Sequence, residues 1–298
     1  MLSKLSDLRQ LVKNNAKKKI ALAAAHDKNA LEAVFNAAKA DLVTPILVGN
    51  EEKINEIAKE LNINISGVEI INESNPEACA AKAVKLVREK KADILMKGIL
   101  ETSTMLKAVL NKEYGLRTGN LLSHIAFFEM PTYHKVIAVA DAAMNIAPDF
   151  NEKVGIIKNS VSYMRRIGYD NPKVAILAAV ETVKDIMLPT MEAAAISKMA
   201  ERGQIKNCII DGPLALDNAV CKESALHKGI NSEVSGDVDL LIVPNIEAGN
   251  VLYKSFIFFA KANVAAVILG ATAPIVLTSR SDSNESKLDS ITLAAAAN

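Results

Sequence analysis

Tryptophan is missing from the 298 residues, and aromatic residues make up only 4 %. Stacking platforms for single-stranded nucleic acid are built from aromatics, so that function class is a poor fit. Charge argues the same way. Lys and Arg number 35 against 34 Asp and Glu, a formal net charge of +1, with the two signs interspersed. Nucleic-acid binders instead gather a basic face. The run Lys17-Lys18-Lys19 reads as the solvated entrance to a strand. Cysteine is scarce and odd in number: Cys79, Cys208 and Cys221, with no C-x-x-C spacing. That pattern excludes a disulfide framework and fits free thiols in a reducing cytoplasm. Cys79, in an alanine-rich helical run, reads as buried filler. The histidines His26, His124, His134 and His227 show no metal-ligand spacing, so no metal is expected. His26, alone at a strand end, reads as structural. The most apolar stretch, Val264 to Leu277, is shorter than a bilayer span and is broken by Gly270 and Pro274. The N-terminus lacks a charged-then-apolar leader pattern. The expectation is a cytoplasmic protein with no membrane partner.

Three catalytic fingerprints are also missing. The chain has no G-x-x-x-x-G-K-[ST], which argues against a P-loop enzyme. It has no G-x-G-x-x-G after the first strand, which argues against a dinucleotide site of the Rossmann kind. It has no G-x-S-x-G nucleophile elbow.

Half of the residues are hydrophobic, and they fall into alternating strand and helix patterns. Strands are expected at Lys19–Ala25, Val43–Val48, Val68–Ile71 and Asp93–Met96, with helices of ten to fifteen residues between them. Asn75 followed by Pro76 marks a helix start. Alternation of this kind means doubly wound, mostly parallel sheet. Leu121–Phe128 and His134–Ala140 read as an antiparallel pair. Further strands are expected at Val174–Ala178, Asn207–Ile210, Asp239–Val243, Ala265–Leu269 and Ile275–Leu277. A helix is placed at Met105–Leu110, with Ser103 or Thr104 as its cap. Another is placed at Val251–Lys261, with Asn250 as a candidate cap. A chain of this length is near the limit of one core. Two lobes are expected, the first discontinuous: residues 1–117 with 266–298, and residues 118–265.

Ligands in open α/β sheets sit at the carboxyl ends of strands, and polar loops follow several strands here. Lys97-Gly98 leads to Thr102-Ser103-Thr104, where free N–H groups at a helix start suit an anion. Lys107, read in the first turn of that helix, is easier to explain if an anion visits. Asp141 to Asn145, Asp211-Gly212 and Asn245 to Asn250 follow other strands. Ser279-Arg280-Ser281-Asp282 follows the last. Its arginine offers a donor fork that matches phosphate or carboxylate. Turn formation, helix capping and solvated charge are competing readings for Asp141, Asn145, Gly249, Asn250 and Lys254.

The run P-N-I-E-A-G-N-V-L-Y-K, Pro244 to Lys254, resembles the P-[DN]-x-x-[AS]-G-N-x-x-Y-K signature of the phosphate acyltransferases. D-A-A-M-N-I-A-P, from Asp141, resembles their D-x-A-x-N-x-x-P loop, and D-G-P-L, from Asp211, their D-G-x-L. P-I-V-L-T-S-R-S-D-S, from Pro274, is closest to the butyryl branch. The resemblance runs from about Lys97 to Ile291. It implies two doubly wound α/β lobes with mostly parallel sheets and an interlobe cleft, as in isocitrate and isopropylmalate dehydrogenases. It also implies homodimers or larger homo-oligomers. The implied reaction converts acyl-CoA and phosphate to acyl phosphate and CoA, reversibly, by direct attack in a ternary complex. Coenzyme A is then a substrate, and no cofactor is expected.

The family's residue roles carry over position by position. Ser279 and Arg280 match the pair that contacts the transition state and phosphates. Lys107 stands where the acetyl branch has a phosphate-binding arginine. Ser290 stands where that branch has its catalytic aspartate, which leaves the base between Asp282, the first choice, and Asp289, the second. Lys97, Thr104, Asn145, Asn245, Gly249, Asn250 and Lys254 complete the substrate-binding set. Two other readings stay open: a same-fold dehydrogenase using NAD(P) and a metal, and a non-catalytic acyl-CoA or phosphate binder.

Overall fold

A computed structural model describes residues 2–13, 16–278 and 282–297. The backbone divides into two compact units. One holds Ser6–Asn120 and the residues from Ala265 onward, the other Leu121–Val264 with the residues up to Leu5. In chain order the first stretch gives α1 (Asp7–Lys13), β1 (Lys18–Ala23), α2 (Lys28–Lys39), β2 (Val43–Gly49), α3 (Glu51–Glu60), β3 (Glu69–Asn72), α4 (Pro76–Arg88), β4 (Ile94–Lys97) and α5 (Thr102–Val109). The middle stretch gives β5 (Ser123–Glu129), β6 (Ile137–Ala140), α6 (Phe150–Arg166), β7 (Lys173–Leu177), α7 (Leu188–Glu201), β8 (Ile209–Leu214), α8 (Leu216–Val220), α9 (Lys222–His227), β9 (Leu240–Ile242) and α10 (Ile246–Phe258). The chain closes with β10 (Asn263–Leu269), β11 (Ile275–Val276) and α11 (Asn284–Ala296).

In the unit built from both ends, the strand order is β3-β2-β1-β4-β11-β10. All neighbours are parallel except β10 with β11. The central strand β1 buries Ile20, Ala21, Leu22 and Ala23 completely, as a parallel strand covered on both faces must. Helix starts are set by side-chain caps. Asp27 accepts from Asn29 and Ala30 N–H, Asn50 from Lys53 N–H, and Asn75 from Ala78 N–H with Pro76 in the first turn. Cys79 is buried in α4, and burial pushes its thiol up in pKa.

In the middle unit, the order is β5-β6-β9-β7-β8, with only β5 and β6 antiparallel. A capping box of Asp149 and Glu152 starts α6, and Gly203, at φ 71°, ends α7. Residues 2–5, grouped from sequence with the other lobe, lie in this unit. Leu2 and Leu5 are buried, and the Leu5 N–H donates to the Glu129 carboxylate at 2.7 Å. An ion-pair network closes the amino ends of the strands. The buried Lys135 ammonium meets Asp237 at 2.7 Å and Asp239 at 2.6 Å, and Lys173 and His134 also reach Asp237. Burial alone would raise the Asp237 pKa, but hydrogen bonds from Lys135, Lys173 and His134 hold it well below the usual range.

Three local expectations change. Helix α5 begins at Thr102 with Glu101 at its cap and no side-chain capping bond. Lys107 therefore lies in the last turn, where a cation is favoured, and the argument that it needs an anion lapses. Asp211 to Leu214 lie inside β8 rather than in a loop. β8 ends the strand order, and an edge strand tolerates proline. Helix α10 begins at Ile246 under an Asn245 cap, so Asn250 is helical and caps nothing. Among the described residues no helix is long and apolar enough to cross a membrane.

Candidate active site

In the middle unit, the loop after β6 and the start of α10 are fitted to each other. Asp141 is buried, and its carboxylate accepts four N–H bonds. Ala143 and Met144 N–H, both at 2.9 Å, bond to one oxygen; His124 N–H at 3.0 Å and the Asn145 amide at 2.6 Å bond to the other. The Asn145 amide also donates to the Leu122 carbonyl at 2.9 Å. Asn245 accepts from Ala248 N–H at 3.0 Å. A Cβ on Gly249 would sit 2.7 Å from the Asp141 carbonyl oxygen and 2.9 Å from Ala142 Cα. Glycine here lets the helix touch the loop backbone. The two motifs that stand about a hundred residues apart in the sequence thus meet through Gly249. Asn250 and Lys254 are exposed on α10.

Beside them, Tyr253 packs on Phe128 at 5.2 Å and on His124 at 6.0 Å between ring centroids. His124 is buried, and its Nδ1 has no hydrogen-bond partner among the described residues. Burial holds the imidazole pKa down, and the Asp141 charge acts in the opposite direction. Sequence reasoning assigned His124 nothing. Its one signal was a lone histidine inside the apolar strand Ser123–Glu129.

In the unit built from both ends, the carboxyl ends of β1, β4 and β11 open onto a cavity of about 440 Å³. His26, Asp27, Lys97, Gly98, Thr278 and Lys287 line it. A Cβ on Gly98 would fall 2.3 Å from the Ala24 carbonyl, so glycine lets β4 leave the sheet against β1. Lys97 turns its ammonium to the Gly98 and Leu100 carbonyls at 3.2 Å each. The Asn50 N–H donates to His26 Nδ1 at 3.3 Å, which puts the neutral ring's proton on Nε2. Burial lowers the His26 pKa, the Lys53 charge adds to that, and Asp27 opposes it. Lys287 is buried and donates to the Asp282 carbonyl. Sequence reasoning passed over Lys287 and Thr278 and set His26 aside. The cavity gathers residues from four distant segments, which no local spacing displays.

Of the expected catalytic residues, Ser279 and Arg280 lie outside the described residues. Asp282 precedes the Ser283 cap of α11. Asp289 is buried in α11, with the Arg9 guanidinium at 3.9 Å. Ser290 donates to the Ser286 carbonyl at 2.8 Å and accepts from Ala266 N–H at 3.0 Å, fixing α11 to β10. Thr104 is half-buried and Lys107 exposed on α5. Lys97 and Lys287 therefore share one cavity in their unit, and Asn145, Asn245 and Gly249 cluster within the middle unit.

Residues 4–81 and 73–295 match the protein family described as "Phosphate acetyl/butaryl transferase". The chain is 50 % identical over 291 residues to a probable phosphate butyryltransferase of Bacillus subtilis, covering 98 % of this chain and 97 % of the other. It is 45 % identical over 295 residues to the phosphate butyryltransferase of Clostridium beijerinckii, covering 99 % and 98 %. Among solved structures, a branched-chain phosphotransacylase from Enterococcus faecalis superposes with a TM-score of 0.83 at 33 % identity. It covers 93 % of this chain and 97 % of that one.

Proposed function

The chain belongs to the phosphate acetyl/butyryl transferase family and is a phosphate acyltransferase, and we propose that butyryl-CoA is its preferred acyl donor. The observation that carries this reading is the full-length identity to phosphate butyryltransferases. The branched-chain relative supports a second reading in which another short acyl chain is preferred. One methylene discriminates by only about 1–3 kcal/mol, so substitutions in the acyl pocket can move the choice.

In the proposed reaction, a phosphate oxygen attacks the thioester carbonyl carbon. The C–S bond breaks, CoA leaves as a thiolate, and acyl phosphate forms. The proton lost by hydrogen phosphate ends on the thiol. Asp282 accepts and returns it, with Asp289 as the alternative. Phosphate is a weak nucleophile, so holding it against the thioester supplies much of the acceleration. Arg280 and Ser279 hold phosphate and stabilise the carbonyl oxyanion. Lys97 and Thr104 contribute to the anionic substrates' site, as does Lys107 with a single charge in place of a fork. The cavity at the ends of β1, β4 and β11 supports this reading: Lys97 and Lys287 bring positive charge there, and neutral His26 brings a ring that can donate or accept. Asn145, Asn245, Gly249, Asn250 and Lys254 are assigned to the CoA side. We further propose a cytoplasmic enzyme that works as a homodimer or a larger homo-oligomer.

The test is phosphate-dependent release of CoA thiol from acetyl-, propionyl-, butyryl- and valeryl-CoA. The highest kcat/KM is expected with butyryl-CoA. Arg280→Ala should lower kcat by about 10²–10³, the loss typical of one oxyanion donor. Absence of thiol release with any acyl-CoA of two to six carbons would overturn the proposal.

A further inference from the structure

Four cations and no carboxylate line a second cavity, of about 620 Å³, in the middle unit. Lys158 comes from the middle of α6, Arg165 and Arg166 from its end, and Lys206 from the segment between α7 and β8. Lys158 and Arg165 are seven residues apart on one helix face, with Ser162 between them on the same face. Lys158, Arg165, Arg166 and Lys206 are all exposed, and the face they form stands beside a second basic segment with no acidic residue in the lining.

Helix capping does not account for these charges. The last carbonyls of α6 already have backbone donors: Ile167 and Tyr169 N–H reach Met164 O at 3.1 Å, and Gly168 N–H reaches Arg165 O at 3.1 Å. Ion pairing does not account for them either, since among the described residues none of the four has a carboxylate partner. The nearby Lys198 and Glu201 pair with each other at 2.6 Å. Arg166 lies over the Tyr163 ring at 5.5 Å, which fixes the guanidinium plane without neutralising it. Gln204 and Asn207 add neutral hydrogen-bonding groups, and Val161 and Ile205 lie buried beneath them.

The cavity lies where α6 and α7 end and where β7 and β8 begin. That is the opposite edge of this unit's sheet from the Asp141 and Asn245 loops, which follow the strands' carboxyl ends. Its charge is therefore apart from the Asp141 and Asn245 loops assigned to CoA. Its volume exceeds what one phosphate fills and lies within the range of small-molecule sites. Four cations match the charge of a di- or triphosphate, and the exposed Arg165 guanidinium offers a plane on which a base can stack. We propose that this cavity is a second ligand site, one that binds a nucleoside di- or triphosphate.

The experiment is calorimetric titration of ADP, ATP and inorganic pyrophosphate into the intact enzyme with CoA and phosphate held at saturation. One ATP per chain is expected, weakening steeply with added salt, and pyrophosphate is expected to bind less tightly than ATP. The double variant Arg165→Glu, Lys206→Glu should weaken ATP binding by more than about tenfold, the equivalent of one charge-assisted bond or more. The single variants Arg165→Gln and Lys206→Gln guard against misfolding. With unchanged circular dichroism, each should weaken binding measurably. Binding that vanishes when CoA is present would place the nucleotide in the substrate site and overturn the proposal. So would equal binding by folded wild-type and Gln variants, or no heat with any of the three ligands.

Discussion

Two clusters at strand carboxyl ends, one in each unit, both bond polar side chains to the backbone, but only one of them lines a cavity. In the middle unit, Asp141 spends its whole carboxylate on four N–H groups, and Asn245 spends its side chain on a helix cap. Gly249 is there because a backbone passes 2.7 Å from where its Cβ would be. These residues make up the sharpest sequence signatures, yet most of their hydrogen-bonding capacity is turned inward. In the other unit, His26, Lys97, Thr278 and Lys287 line a cavity, although Lys97 and Lys287 also donate to backbone carbonyls and His26 accepts from a backbone N–H. Of these, only Thr278 belongs to a sharp motif, the run from Pro274 to Ser283. A strict spacing can therefore report backbone packing as readily as chemistry, and the groups that face a ligand can lie between the motifs.

Substitutions can sharpen or break this contrast. Asp141→Ala should have the largest effect, a loss of about 3–5 kcal/mol of folding stability, because four donors lose one buried acceptor. Chemical denaturation measures it, and a variant with wild-type stability but no turnover would reverse the assignment. Gly249→Ala should cost about 2–4 kcal/mol, since backbone atoms must move to admit the methyl group. A matching fall in Tm is expected. Lys287→Met should behave oppositely. Replacing a buried charge with a chain of similar shape is near neutral for stability, while thiol release should fall about tenfold. A melting scan beside the assay separates the two outcomes.

The smallest effect concerns pH. The His124 imidazole has a lowered pKa, mainly through burial. The unfolded chain binds its proton more readily, so the stability it contributes is present above the free value of about 6.5. That stability is lost as pH falls through the folded pKa. The urea midpoint of wild-type protein should drop between pH 7.5 and 5.5 by more than that of His124→Gln. Equal drops would show that other groups dominate acid sensitivity.

Much of the fold was legible because its signals are local. Asn75 caps a helix where the spacing placed it, and the alternation of strand and helix gave parallel sheet. Legibility failed where tertiary position decides. The Asp-Gly-Pro-Leu run looks like a turn, but an edge strand accepts it, and edge position is not local information. The Thr-Ser-Thr run looked like a cap, but α5 starts at its first residue, Thr102, under Glu101 without a side-chain bond. The competing capping reading for Asn250 failed because Asn245 already holds that role. Ser290 was read only as a missing base, while its hydroxyl bridges Ala266 and Ser286. At the candidate site, Lys287 escaped notice and His26 was read as structural because residues 26, 97, 278 and 287 meet only after the chain has folded.

The position of β11 has a consequence for synthesis. β11 lies between β4 and β10 in the sheet order, yet it is translated some 180 residues after β4. On the ribosome, the outer edge of β4 stays unpaired while the whole middle unit emerges and folds. Over that interval the nascent protein carries an open strand edge beside three completed neighbours, the kind of surface that invites pairing with another chain. Slower elongation past residue 97 lengthens that exposure, and a chaperone covering the β4 edge shortens it.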